Sequence, residues 1–118
     1  MSRKVVAAVT DLFFVAKLKA AAPHADVNLT FASSQDEVLA EVRGGAHMVI
    51  LDLNDPILEA PEMVRILRGD PATSDILTLA FYSHVETDLA DQARDAGCDQ
   101  ILPRSQFSRK LVELLRGW

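Results

Sequence analysis

The residues with most chemical potential are carboxylates that follow apolar runs. Asp11 comes directly after the β-branched run at residues 4–10, and Asp52 lies near the end of the most apolar stretch, residues 47–53 (HMVILDL). Asn54 follows Asp52 by two residues. Carboxylates brought together in this way could hold a divalent cation on hard oxygen ligands, and one of them could act as a nucleophile toward phosphorus.

Hydroxyl groups and one guanidinium follow two further apolar runs. Tyr82 ends the run at residues 75–82 and is followed by Ser83 and His84. Arg104 follows the short run at residues 100–103. A guanidinium beside carboxylates can form a planar, two-pronged ion pair or bind a phosphoryl group. A hydroxyl at the same place can donate a hydrogen bond, although Tyr82 is better explained as a packing residue with a polar tip.

The elements that must position these residues alternate regularly. Apolar patterns predict strands at 4–10, 26–32, 47–53, 75–82 and 100–103. Helical spacing predicts helices at 12–22, ended by Pro23, at 34–43, opened by a capping box and closed by Gly44 and Gly45, and at 62–68, 86–96 and 108–116. Such alternation predicts a doubly wound, five-stranded parallel sheet, whose ligand site lies at the carboxyl ends of the strands.

Composition excludes several classes of function. The 118 residues carry 12 basic and 17 acidic side chains, a net charge of −5, which disfavours nucleic acid as a partner. The apolar runs fall far short of the ~18 residues that span a bilayer, and the single cysteine permits no internal disulfide. We therefore expect one cytoplasmic domain over residues 1–118, without membrane insertion and with no output domain.

Two segments carry a resemblance to a known family. Residues 48–56 (MVILDLNDP) resemble the stretch of bacterial response regulator receiver domains that contains the phospho-accepting aspartate, followed four residues later by proline. Residues 95–107 (DAGCDQILPRSQF) resemble their AGADDYLTKPF-like segment, and the match extends from about residue 4 to 115. The resemblance implies a flavodoxin-like sheet with strand order 2-1-3-4-5 and five helices.

The resemblance also implies roles for individual residues. Asp52 matches the phospho-acceptor, and Asp11 matches the second acid of a pair that binds Mg²⁺, for which the backbone carbonyl of Asn54 is a further ligand. Tyr82 falls on the switch Thr or Ser, and Ser83 on the small residue after it. Asp11 has an alternative role, because aspartate is also a preferred N-cap.

Besides Tyr82, five positions depart from the family pattern. They are Thr10 for the first acid, Ala60 for a loop glycine, Ile101 for the aromatic switch residue, Arg104 for the phosphoryl-binding lysine and Ser105 for the proline after it. Loss of one acid weakens Mg²⁺ binding, typically by about 10–100-fold. Arg104 either binds the phosphoryl group or pairs permanently with Asp52 and Asp11.

The sequence leaves three alternative functions open. The first is a response regulator receiver in two-component phosphorelay, phosphorylated on Asp52 by a sensor histidine kinase or phosphotransfer protein, with weak Mg²⁺, and acting on a downstream protein. It is no enzyme beyond its own phosphoryl transfer, and the family implies a homodimer through the fourth helix, fifth strand and fifth helix. The second is a phosphorylation-independent pseudo-receiver adaptor held in one state by Arg104. The third is a flavodoxin-like enzyme or cofactor binder, although no phosphate-binding glycine motif occurs.

Overall fold

A computed structural model describes residues 3–83 and 87–117 and shows strands alternating with helices. The strands are β1 (Arg3–Ala8), β2 (Val27–Phe31), β3 (Met48–Asp52), β4 (Leu77–Tyr82) and β5 (Gln100–Pro103). The helices are α1 (Leu12–Ala25), α2 (Gln35–Arg43), α3 (Ala60–Gly69), α4 (Thr87–Ala96), α5 (Arg104–Arg109) and α6 (Leu111–Arg116). Among these residues, no helix is both long and apolar enough to cross a membrane.

All strand pairs are parallel, and the sheet order is β2-β1-β3-β4-β5. This confirms the predicted flavodoxin-like order. The central strand β3 lies between β1 and β4, with Ile50 opposite both Ala7 and Leu79. Strands in this position are covered on both faces, which explains why the β3 sequence is a continuous apolar run instead of an alternating one.

Alternate strand residues contribute to two separate cores. On one face, residues such as Val5, Ile50 and Phe81 pack against α1, α5 and α6. On the other face, residues such as Val6 and Leu51 pack against α2, α3 and α4. The helices cover the sheet from both sides, and because β1, β3 and β4 are parallel, their carboxyl ends lie at the same edge.

Three local predictions are wrong in detail. The first helix continues past Pro23 to Ala25, because a proline in the last turn removes one hydrogen bond but leaves later N–H groups free to bond; Asp26, in the left-handed region, then ends the helix. The predicted fifth helix starts earlier, at Arg104, and breaks at Lys110 into α5 and α6, so the described chain has six helices instead of five. In the capping box, Ser34 Oγ accepts from Glu37 N–H as expected, but the Glu37 carboxylate accepts from Ser33 N–H.

An arginine clamp stabilises the edge of the sheet opposite to the predicted site. The Arg68 guanidinium donates to the carbonyl oxygens of Ser74, Ile76 and Gly97 and to the side chains of Thr78 and Asp99. The Asp99 carboxylate also accepts from the N–H and hydroxyl of the fully buried Thr78. The clamp therefore joins the end of α3 to the starts of β4 and β5.

Candidate functional site

Asp52 is the last residue of β3 and lies at the centre of the carboxyl edge. Its carboxylate is half-buried, and its Oδ1 accepts a hydrogen bond from Asn54 N–H at 2.9 Å. Burial raises the pKa of Asp52 above its ordinary value of 3.8, and the nearby carboxylates of Asp55 and Asp11 raise it further. The Asn54 hydrogen bond and the charge of Arg104 oppose this shift in pKa. Asp52 is thus a partly desolvated carboxylate among like charges.

Asp11 is the N-cap of α1. Its Oδ1 accepts from the N–H groups of Phe13 at 2.8 Å and Phe14 at 3.4 Å. The N-cap interpretation is confirmed, and it fixes the carboxylate at the start of α1, close enough to Asp52 to raise the pKa of Asp52. The other oxygen, Oδ2, has no hydrogen-bond partner among the described residues, so the cap leaves one ligand atom available. Thr10, in place of the first acid of the family, is exposed.

Asn54 connects the loop after β3 to the end of β4. Its side-chain Oδ1 accepts a hydrogen bond from Ser83 N–H at 2.6 Å. Within residues 3–83 and 87–117, nothing donates to its backbone carbonyl oxygen. The structure therefore links Asn54 and Ser83, two predicted site residues, through a bond that the sequence did not suggest.

Arg104 does not form the predicted ion pair with Asp52 or Asp11. Neither carboxylate has a nitrogen of Arg104 within 4.0 Å; the guanidinium carbon lies 4.6 Å from the centre of the Phe14 ring and 5.4 Å from that of Phe13. The planar, weakly hydrated guanidinium stacks well on an aromatic face, whereas a pair with Asp52 would require deeper desolvation of the charge. Arg104 therefore influences Asp52 through its charge, without a direct ion pair.

The aromatic platform under Arg104 comes from three elements. Phe14 of α1 contacts Phe81 of β4 with ring centres 4.8 Å apart, and Phe81 stacks on Phe107 of α5 at 4.4 Å. All three rings are buried. The platform couples the position of Arg104 to the core between the sheet and α1.

A shallow groove of about 580 Å³ lies between Phe13 and the ends of β4 and β5. Tyr82, Ser83 and Arg104 are among the residues that line it. Tyr82 also packs against the core on the α2–α4 side, as does Ile101, the residue in place of the aromatic switch. The predicted packing role of Tyr82 therefore agrees with its position, while its hydroxyl has no hydrogen-bond partner in the described part of the chain. His84 lies outside the described residues.

Asp55 is the site residue to which the sequence analysis gave no role. Its Oδ1 accepts from the N–H groups of Ile57 at 3.0 Å and Leu58 at 3.3 Å, so it caps the turn after β3. The charge of Asp55 raises the pKa of Asp52 more than the charge of Asp11 does. The sequence could have indicated this role, because Asp55 directly precedes Pro56, and aspartate next to proline is typical of a capped turn.

The donor atoms of the site fit a divalent cation weakly. Asp11, Asp52 and the Asn54 carbonyl supply hard oxygen ligands. After burial, repulsion from the Asp55 and Asp11 carboxylates raises the pKa of Asp52, and a bound cation would relieve this repulsion. No group of three or more acidic, histidine or cysteine side chains suited to a metal occurs within the described residues. Water molecules would have to supply the remaining ligands, as Mg²⁺ allows.

We expect Asp52→Asn to stabilise the fold at neutral pH. A folded-state pKa raised above the unfolded value means that the charged carboxylate costs stability once the pH exceeds the folded pKa, and that this cost disappears as the pH falls toward 3.8. Asparagine keeps an oxygen for Asn54 N–H and removes the charge. Because the carboxylate is only half-buried, solvent screening keeps this gain small. Urea unfolding at several pH values measures it.

The matched control for this prediction is Asp75→Asn, which removes the same charge from an exposed side chain. It should change the free energy of unfolding little at any pH. A gain in Asp52→Asn that persists unchanged at low pH, or one that Asp75→Asn shares, would contradict the assignment of the cost to the Asp52 charge.

The comparisons with known proteins bear on the fold. No family model matches the chain, and no curated protein matches it either. Among solved structures, it is similar to a response regulator from Hahella chejuensis, with a TM-score of 0.84, 20% identity and coverage of 97% of this chain and 92% of that one. It is also similar to a phosphorylated cyanobacterial phytochrome response regulator, with a TM-score of 0.81, 15% identity and coverage of 99% of this chain and 91% of that one. A third similar structure is a chemotaxis response regulator of Vibrio cholerae, with a TM-score of 0.80, 16% identity and coverage of 98% of this chain and 99% of that one. The chain has the fold of receiver domains over nearly its whole length.

Proposed function

We propose that this chain, with its receiver fold, acts in two-component signalling by accepting a phosphoryl group on Asp52. The observation that carries the proposal is the position of Asp52. It is a half-buried carboxylate at the carboxyl end of the central strand, with further acidic groups close by and no cation paired to it among the described residues. The donors would be a sensor histidine kinase or a phosphotransfer protein, as the resemblance implies.

The chemistry that fits this geometry is in-line transfer from a phosphohistidine. The free Oδ2 of Asp52 forms a bond to phosphorus while the bond from phosphorus to the histidine nitrogen breaks, and the nitrogen leaves with its electron pair. Asp52 must be ionised to attack, and the Asn54 hydrogen bond and the charge of Arg104 favour the ionised form. A divalent cation held by Asp11, Asp52 and the Asn54 carbonyl would offset the negative charge of the incoming group.

Three groups of the site can meet the phosphoryl oxygens. The Ser83 hydroxyl is exposed at the end of β4, and the Tyr82 hydroxyl lies in the same groove. Arg104 can reach the group by rotating away from the Phe14 ring. Because Asn54 holds Ser83 N–H, a rearrangement of Ser83 toward a phosphoryl group alters the link between the β3 and β4 loops. We infer that this link transmits the change to α4, whose described part buries Ala93 alone.

The test is an amide NMR titration with Mg²⁺ followed by beryllofluoride, which imitates an aspartyl phosphate. We expect shifts centred on Asp11, Asp52, Asn54 and Ser83 that spread into α4. Asp52→Asn, which we expect to retain the fold, is the control and should show none of these shifts. A wild-type spectrum unchanged by both additions would remove the proposal.

Such a silent spectrum would favour the pseudo-receiver adaptor, although not the form held by Arg104, because Arg104 lies on Phe14 and not on Asp52. No observation favours the flavodoxin-like enzyme. In the loop between β1 and α1, Asp11 is the N-cap of α1, and the loop contains no phosphate-binding glycines.

A further inference from the structure

The cations of this acidic chain fall into two groups according to their partners. Of the 12 lysine and arginine residues, five form an ion pair with a carboxylate of the described residues. These five are distributed over β1, α2, α3 and α4, and they are Lys4, Arg43, Arg65, Arg68 and Arg94. The remaining lysine and arginine residues have no carboxylate oxygen within 4.0 Å among the described residues, and most of them lie outside these four elements.

The unpaired cations concentrate along the groove between α1 and α6. This groove has a volume of about 650 Å³, and its rim carries Lys17, Arg109, Lys110 and Arg116, together with His24. Arg116 donates to the His24 carbonyl oxygen and not to a carboxylate. Among residues 3–83 and 87–117, Glu113 is the one acidic residue that lines the groove. A chain with a net charge of −5 therefore carries one strongly positive surface, defined here as the α1–α6 groove.

The floor of the α1–α6 groove is apolar. Ala20 and Ala21 of α1 and Leu111 and Val112 of α6 line it. Small alanine side chains on one wall allow a close approach of another backbone, and the leucine and valine offer apolar contact. An apolar floor between cationic rims is complementary to a helix with apolar residues on one face and acidic residues beside them.

The positive surface is continuous with the rim of the candidate site. Lys17 and Ser108 line both the α1–α6 groove and the smaller groove that contains Arg104. The Lys17 ammonium also lies 4.8 Å from the centre of the exposed Phe13 ring, so an aromatic side chain is available where the two grooves meet.

We propose that the α1–α6 groove binds an acidic, amphipathic helical segment of a partner protein. Unpaired surface cations that face one another repel, and an anionic partner removes this repulsion on binding. Nucleic acid fits less well, because it makes no use of the apolar floor and is repelled by the acidic remainder of the chain. A second copy offering the acidic α4, with Asp88, Asp91 and Asp95, would make a head-to-tail contact, which forms rings or filaments instead of a two-fold dimer.

The experiment measures fluorescence anisotropy of a labelled synthetic helix that carries glutamate on its polar face and leucine on the other. Arg109→Gln with Lys110→Gln removes two charges from the groove, whereas Arg65→Gln with Arg94→Gln removes two charges from exposed, paired sites on α3 and α4. We expect the first pair to weaken binding by about tenfold and the second by less than about threefold, with affinity falling as salt is added. Thermal unfolding by circular dichroism checks that both variants remain folded.

Four outcomes would overturn the proposal. They are no binding at low salt, equal losses in the two double variants, equal binding of a control helix with glutamine in place of glutamate, and tighter binding of a single-stranded oligonucleotide than of the acidic helix. Sedimentation of the chain alone adds a fifth, because self-association abolished by Arg109→Gln with Lys110→Gln would assign the groove to a second copy.

Discussion

Replacing Phe14 by alanine is expected to lower the free energy of unfolding by about 3–5 kcal/mol. The Phe14 ring is 1% exposed and contacts both Phe81 and Phe107, so its removal leaves a cavity in the core between the sheet and α1. The same change removes the ring on which the Arg104 guanidinium rests. Urea unfolding measures the cost, and the amide and guanidinium resonances of Arg104 report whether its position changes.

The adjacent Phe13 supplies the control. It belongs to the same helix and lies within reach of Arg104, but it is 54% exposed. Phe13→Ala is therefore expected to cost about 1 kcal/mol or less. Similar costs for the two alanine variants would contradict the assignment of Phe14 to the core and Phe13 to the surface of α1.

Replacing Arg68 by alanine is expected to cost about 2–4 kcal/mol. The substitution removes donors from three carbonyl oxygens and leaves the Asp99 carboxylate beside the buried Thr78 without its cation. The loss falls at the starts of β4 and β5, so hydrogen exchange should accelerate there first, far from the carboxyl edge.

Arg65 is the matched control for Arg68, since both are arginines of α3 with an acidic partner. Arg65 pairs with Glu62 one turn away at an exposed position, and Arg65→Ala should change stability by about 0.5 kcal/mol or less. If both variants cost the same, the clamp contributes no more than a surface ion pair.

The order of the elements was predictable because buried strands and half-buried helices produce different spacings of apolar residues in the sequence. The continuous apolar run at residues 48–51 required a strand covered on both sides, and β5 has the predicted bounds, Gln100–Pro103. Helix ends were less predictable, since the break at Lys110 follows no helix-breaking residue. The Arg68 clamp joins residues up to 31 positions apart, and no local pattern reveals such a network.

The composition of the site was predictable, but its contacts were not. Parallel strands bring Asp11, Asp52, Ser83 and Arg104 to one edge whatever their side chains do. Whether Arg104 pairs with Asp52 or stacks on Phe14 depends on the aromatic platform built from α1, β4 and α5, which only the folded chain assembles. The same holds for the raised pKa of Asp52, because burial is its main cause.

The most direct test of the central claim is intact-mass spectrometry after incubation with Mg²⁺ and a small phosphodonor such as acetyl phosphate. We expect the mass of one phosphoryl group to be added, to map to Asp52, to be lost in alkali or hydroxylamine, and to be absent in Asp52→Asn but present in Asp55→Asn. No incorporation with acetyl phosphate or phosphoramidate, or equal incorporation in Asp52→Asn, would contradict the proposal that Asp52 is the phospho-acceptor.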